Sequence, residues 1–347
     1  MVSVQQWTGR EARALRAALR MSSRAFADHL GVALRTIAKW ESLGTATRPR
    51  PDTQAILDTA LARAEAPAQA RFEELLFTER ESTRSADHET WTEDIERAVA
   101  CIGRQNFSFA TTLLNRWLAS RDPCRLDGNG RYLYGRSLAL LGDLQRDQGA
   151  ILGPLSAAHS YRTARAMFTE LDIPRRVAQI DLSLAVVQEM SGWLEASARQ
   201  YELLATDERL SPRDRARAQL WVGTALSKEG NNEYAATVMV SATRTFEDLG
   251  EPEDWSVAHQ KLALAHRGSG DLKQALHCID IARTTGTVDS PMQRVRLDTA
   301  YGHILLSDAA TRNDGLYVLD QAKQVAQQYG LSHQLRSIEG IRMGRRG

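Results

Sequence analysis

The sequence is poor in cysteine and has no long hydrophobic run. Cys101, Cys124 and Cys278 are its only cysteines. An odd number without CxxC spacing excludes a disulfide framework and a zinc ribbon, and leaves thiols that pack as small hydrophobes. Apolar stretches such as LALLG near Leu140 are far too short to span a bilayer, and no apolar signal core follows the first positive charges. A soluble, cytoplasmic chain without a membrane partner is expected. Catalytic patterns are missing as well. GSGD near Gly268 has no preceding strand, third glycine or Lys-Ser/Thr pair, and LDGNG near Asp127 lacks the spaced carboxylates of a calcium loop. No nucleophile stands with a base, and no carboxylate pair has the context for acid-base work, so the expectation is a non-enzyme without cofactor or metal.

What is present is an uneven distribution of charge. The net charge over 347 residues is +1, but residues 1–50 hold nine Arg and Lys against three Asp and Glu. A head of +6 on a body of −5 points to a head that meets a polyanion and a body with another task. The excess of arginine over lysine, 39 to 5, fits a GC-rich genome and carries no argument about nucleic acid.

Within the head, Thr8 and Glu11 form a capping box that opens a first helix running to about Arg20. Ser22 or Ser23 caps a second helix, with Phe26, Ala27 and Leu30 on its buried side. Gly31 then lets the chain turn. A third helix starts after Val32. At 100° per residue, Leu34, Arg35, Ala38 and Lys39 share one stripe, while Ile37 and Trp40 share the opposite one. Helix, short glycine turn and helix make the pattern whose second helix enters the DNA major groove. Arg35 can donate twice to guanine, Lys39 can reach guanine or phosphate, and Leu34 can pack on a thymine methyl. Ser22, Ser23 and Arg24 at the start of the second helix suit phosphate, and Arg48 and Arg50 suit the backbone or a minor groove. Ala33 and Thr36 complete the expected DNA-contacting set.

The run SSRAFADHLGVALRTIAKWES resembles the DNA-binding domain of the phage-repressor-like xenobiotic-response-element class of bacterial regulators. It does so in its hydrophobic spacing, the Gly31 turn, and the Thr36-Ile37 and Trp40-Glu41 pairs. The resemblance covers about residues 7–65. It implies that Arg16 and Glu41 form a partly buried ion pair that orients the third helix. The class often carries Gln or Ser where Ala33 and Leu34 stand, so its base preference does not transfer.

Residues 51–76 continue helically, and 1–76 form the expected DNA-binding domain. Thr78–Thr90 has no large apolar residue, so 77–90 are expected to be a linker or a solvated helix. From Trp91 to residue 347 every segment has helical periodicity, and several repeat. SGWLEASARQYELLA, EGNNEYAATVMVSA and SGDLKQALHCIDIA each open at a glycine, Gly192, Gly230 or Gly270. Each carries a small residue five positions on, Ser197, Ala235 or Ala275, and Ala110 and Ala157 mark looser copies. Glycine permits a tight antiparallel turn and the small residue permits close helix contact, so each unit is a helical hairpin in a solenoid. The spacing resembles tetratricopeptide repeats, with longer units and with Gly223 and Leu262 among the filled positions. HEAT-like or irregular helical repeats fit the same spacing. NDGLYVLDQAKQVAQQYG and SHQLRSIEGIRM are expected to form a terminal cap.

His259 and His266 invite a metal reading with His277, but they are seven apart and occupy positions where the repeat places core aromatics, so packing is expected. The tetratricopeptide pattern places Gln179, Arg217, Thr224, Gln260 and Arg267 on the concave face, where they could hold an extended peptide or simply be solvated. Head and body together resemble peptide-responsive repressor-type regulators. The resemblance implies an all-α protein that binds a near-palindromic double-stranded operator as a homodimer, on the nucleoid, and senses a peptide, small molecule or protein through its repeats. The alternative is a DNA-tethered docking scaffold without a sensing role.

Overall fold

In a computed structural model, the chain divides into two compact units, Met1–Thr90 and Trp91–Gly347. The structure describes Val4, residues 6–285 and residues 290–344, with side chains described at all of these except 77–85. Every regular element among the described residues is helical.

The first unit contains α1 (Gly9–Ala18), α2 (Ser23–Leu30), α3 (Leu34–Leu43), α4 (Pro51–Arg63) and the first part of α5 (Ala66–Gly103). The capping box is formed, with the Thr8 N–H donating to Glu11 at 2.9 Å. Ser22, not Ser23, caps α2, by accepting from the Ala25 N–H. Gly31 closes α2 at φ +65°, in the left-handed region that favours glycine. Trp7, Leu15, Phe26, Ile37, Leu57 and Phe72 are fully buried in one cluster. Gly9 sits so close to the end of α3 that a Cβ there would lie 2.0 Å from the Trp40 carbonyl oxygen. Arg71 on α5 donates through Nε and one terminal nitrogen to the Ala18 carbonyl, satisfying a free acceptor at the end of α1. Residues 77–90, expected as a linker, have helical backbone within α5; the side chains of 77–85 lie outside the described residues.

The second unit begins within α5 and continues through α6 (Phe107–Leu118), α7 (Gly128–Asp147), α8 (Ala157–Glu170), α9 (Pro174–Met190) and α10 (Leu194–Ala205). It then runs through α11 (Pro212–Glu229), α12 (Asn232–Asp248), α13 (Pro252–Ser269), α14 (Leu272–Thr285), α15 (Pro291–Leu305), α16 (Arg312–Gln328) and α17 (Ser332–Arg342). Sequential helices pack as hairpins, α7 with α8 through α15 with α16. Gly192, Gly230 and Gly270 turn between partners at φ +86°, +98° and +87°. The small residues Ala110, Ala157, Ser197, Ala235 and Ala275 are all wholly buried. On the facing helix, a Cβ added at Gly223 would lie 3.0 Å from the Ala235 carbonyl oxygen and 2.7 Å from Met239 Cγ. The two backbones therefore touch where the spacing had placed the small residue.

The end of the solenoid meets its beginning. Ile338 and Ile341 of α17, Met292 and Val295 of α15 and Leu319 of α16 share one apolar cluster with Ala98, Phe107, Leu114 and Leu144 of α5, α6 and α7. Gln105 bridges this seam. Its backbone is left-handed at φ +56°. Its side-chain nitrogen donates to the Ile102 and Gly103 carbonyls, and its Oε1 accepts the Met292 N–H at 3.1 Å. One side chain thus caps the end of α5 and the start of α15. The segments expected to form a terminal cap, α16 and α17, also pack against α5, α6 and α7, because the hairpin twist brings the last repeats back onto the first.

Candidate DNA-reading face and ligand channel

In the first unit, α3 separates two faces. Ile37 and Trp40 are 1% and 5% exposed, whereas Leu34 is 42% exposed, and Ala33, Arg35, Ala38 and Lys39 are exposed beside it. Thr36 is half-buried. Arg16 Nε donates to Glu41 Oε1 at 2.5 Å, and Arg16 also donates to the Met21 carbonyl at 2.8 Å. The pair therefore fastens the end of α3 and the start of α2 to α1. Ser22 and Arg24 are exposed at the start of α2, Ser23 is half-buried, and Arg48 and Arg50 are exposed beyond α3. Among the described residues, none of Arg24, Arg35, Lys39, Arg48 and Arg50 is held in an ion pair. These cations are free to meet phosphates and base edges.

In the second unit, the odd-numbered helices from α7 to α17 line an open channel of about 2060 Å³. Ordinary small-molecule pockets are roughly 300–1,000 Å³, so this volume suits an oligomeric ligand better than a metabolite. Gln179, Arg217, Thr224, Gln260 and Arg267 all lie on its wall, in different states of engagement. Gln179 donates to Asp214 at 3.1 Å and accepts from Arg176 at 3.0 Å. Arg217 is fastened to Asp254 by two hydrogen bonds of 2.8 and 2.9 Å, and Asp254 also holds Arg213. Thr224 is 5% exposed, and its hydroxyl donates back to the Leu220 carbonyl. Gln260 donates to the Arg296 carbonyl at 2.8 Å, leaving its Oε1 buried without a partner. Arg267 likewise keeps a buried Nε without a partner.

Several wall residues escaped the sequence reading. A half-buried network joins Asp143 and Arg146 to the buried Tyr161: the tyrosine hydroxyl donates to Asp143 at 2.7 Å and Arg146 donates to Asp143 at 3.0 Å. Burial raises the Asp143 carboxyl above its usual range, against the pull of Arg146. Glu189 receives the Tyr201 hydroxyl at 2.9 Å and the Lys228 ammonium at 3.1 Å. Lys261 lies over the Trp221 ring, 5.4 Å from its centre, and burial lowers its pKa to about 8. Burial also pushes Arg267 and Arg296 down. It lowers His303 to about 4, aided by Arg267, and His333 to about 4, aided by Lys228, Arg336 and Arg296. Both imidazoles are therefore neutral near pH 7. The only sequence signal for Lys261 and Arg296 was their place on helices that the repeat pattern turns inward.

His259 stacks edge-on against Trp255 at 4.2 Å between ring centres, and both its nitrogens are buried without hydrogen-bond partners. Burial lowers its pKa, with His277 adding to the effect. Among the described residues no group of three His, Cys, Asp or Glu is placed to hold a metal, and no helix is long and apolar enough to cross a membrane.

No protein-family model matches the chain, and no curated protein matches it. Its fold is found among solved structures. A Rap protein complexed with competence and sporulation factor superposes at a TM-score of 0.55 with 15% identity, covering 94% of this chain and 80% of that one. That likeness establishes the all-helical repeat fold. A Rap conjugation regulator of plasmid pLS20 with the Phr* peptide gives 0.49 at 13% identity, over 95% and 79% of the two chains. PlcR of Bacillus thuringiensis with the peptide PapR7 and DNA gives 0.38 at 12% identity, over 79% and 95%. The last two scores are too low to carry an argument.

Proposed function

We propose that the protein is a peptide-responsive, sequence-specific DNA-binding regulator. Its first unit would read a near-palindromic operator as part of a homodimer, and its second unit would hold the signalling ligand in the channel. The observation that carries this reading is the division of α3: two buried anchors behind, and an exposed stripe of Leu34, Arg35, Ala38 and Lys39 in front, with its cations unpaired. The capacity of the channel supports a peptide over a smaller ligand, and the Rap protein of the same fold was solved with its factor bound. Two heads on a palindrome must sit one helical turn, about 34–36 Å, or a multiple of it apart. A ligand can switch such a dimer only by favouring one spacing, and a shift from 1:99 to 99:1 needs about 5.5 kcal/mol of differential affinity.

Selection of bound duplexes from a random pool by the full chain tests the reading. Enrichment of a two-fold motif is expected. Arg35→Ala should cost about 1–3 kcal/mol and relax one base position, whereas Arg24→Ala should weaken all duplexes alike and lower the salt slope by about one. Recovery of unenriched sequence would end the proposal. Sequence-specific binding that no peptide pool alters would favour the docking-scaffold alternative.

A further inference from the structure

The charge of the channel wall opposes the charge of the chain that builds it. Residues 51–347 sum to −5, yet eleven Arg and Lys line the channel against six Asp and Glu. Five of those acids are already engaged: Asp143 and Asp147 by Arg146, Glu189 by Lys228 and Tyr201, Asp214 by Gln179, and Asp254 by Arg213 and Arg217. Among the wall cations without an ion pair, three lie on the neighbouring helices α13 and α15. Lys261 and Arg267 of α13 and Arg296 of α15 have no carboxylate partner among the described residues. Two deeply buried wall residues beside them hold unpartnered polar atoms, Gln260 Oε1 at 3% exposure and Thr299 Oγ1 at 7%. Gln260 is tied to Arg296 through the latter's carbonyl, and Thr299 lies one helical turn beyond Arg296. Glu189 and Asp147 reach Lys261 and Arg296 only at longer range, and burial outweighs them; partly buried cations without a contacting carboxylate, next to orphaned hydrogen-bonding atoms, are costly in a folded protein unless a ligand completes them.

We propose that Lys261 and Arg296, with Thr299 and Gln260, form an oxyanion subsite that receives a carboxylate of a peptide lying in the channel. The inference rests on the peptide-sensing reading and narrows it to peptides that present a free carboxylate. Lys261 and Arg296 supply charge, Thr299 supplies a hydroxyl donor, and Gln260 Oε1 is left to accept an N–H of the same ligand. With its pKa at about 8, Lys261 still carries its charge near pH 7, and an arriving anion would hold it there. The carboxylate can come from the peptide's C-terminus or from an Asp or Glu side chain, and the test separates these sources.

The full chain is incubated with four random-sequence peptide pools: free or amidated at the C-terminus, each with or without Asp and Glu. Retained peptides are read by mass spectrometry. Retention of pools carrying at least one kind of carboxylate, and about tenfold or greater loss when both are removed, is the expected result; the pool that keeps binding names the source. Equal retention of the amidated, Asp- and Glu-free pool would overturn the subsite and leave the peptide reading standing. Retention of no pool would overturn both. Arg296→Met and Lys261→Met should keep or raise the melting temperature, because each removes an unpaired, partly buried charge, while lowering retention of the carboxylate pools about tenfold. Undiminished retention in both variants would equally overturn the assignment. Inorganic phosphate at millimolar concentration should compete with the carboxylate pools, and failure to compete would count against an oxyanion subsite.

Discussion

Gln105 offers the sharpest check on closure of the superhelix. Replacing it with alanine deletes three hydrogen bonds, but these are not equivalent. The Ile102 and Gly103 carbonyls lie at a helix end where both residues keep some solvent contact, so water can replace the lost donor. The Met292 N–H is different: Met292 is 5% exposed and Gln105 itself 8%, so the N–H is left buried without an acceptor. A buried unsatisfied group costs about 1–3 kcal/mol, equivalent to a roughly 5- to 150-fold rise in the local opening constant. Hydrogen exchange across residues 290–297 should therefore accelerate by that factor in Gln105→Ala, with the amides of α9 to α12 unchanged. Gln105→Glu sharpens the test. It keeps an acceptor for Met292 but sets a second oxygen against the two α5 carbonyls, so protection at α15 should survive while the end of α5 loosens. Unchanged exchange at 290–297 in Gln105→Ala, or an acceleration spread evenly over the second unit, would refute the idea that this contact holds the seam.

Three other outcomes follow from the same geometry. Ile37→Ala should cost about 2–5 kcal/mol in denaturant unfolding of the first unit, whereas Arg35→Ala, on the exposed face of the same helix, should stay within about 0.5 kcal/mol. Equal losses would mean that α3 has no free face. Gly223→Ala should destabilise the α11–α12 pair by about 1–3 kcal/mol, since the new methyl meets the Ala235 carbonyl at 3.0 Å; thermal melting beside the wild type measures it. Burial holds the Lys261 ammonium at about 8, against an ordinary 10.5. Between those values the unfolded chain binds a proton that the folded chain does not, so stability from this group rises as pH climbs from about 8 to 10.5. Lys261→Met should flatten that slope in melting temperatures measured across the window, and an unchanged slope would place its origin elsewhere.

The α2–turn–α3 geometry was legible because it is local. Ile37, Trp40, Arg35 and Lys39 take their faces from the helical period alone, and Gly31 announces its turn because few other residues tolerate φ +65°. The hairpins of the second unit were legible for the same reason: Gly230 with Ala235, and Gly270 with Ala275, lie within one short stretch of chain. The channel residues were only half legible. A repeat pattern can turn Gln260 and Arg267 inward, but it cannot tell that Arg217 is neutralised by Asp254, 37 positions away, or that Thr224 is hidden and bonded to its own helix. Nor could the net charge of the body reveal a basic interior, because nearly all its acids lie outside the channel or are engaged within it.

By itself the sequence determined an all-helical chain, a basic head with an amphipathic third helix, and a run of glycine-hinged hairpins. Each depends on interactions within a turn or two of chain, where spacing translates directly into position. The tertiary structure alone decided that the hairpins close into one superhelical turn, that Gln105 meets Met292 across 187 positions, and that Lys261 and Arg296 lie near one another without a contacting carboxylate. Those outcomes depend on small inter-helix rotations accumulated over five hairpins, and the sum of many small angles is written at no single place in the sequence.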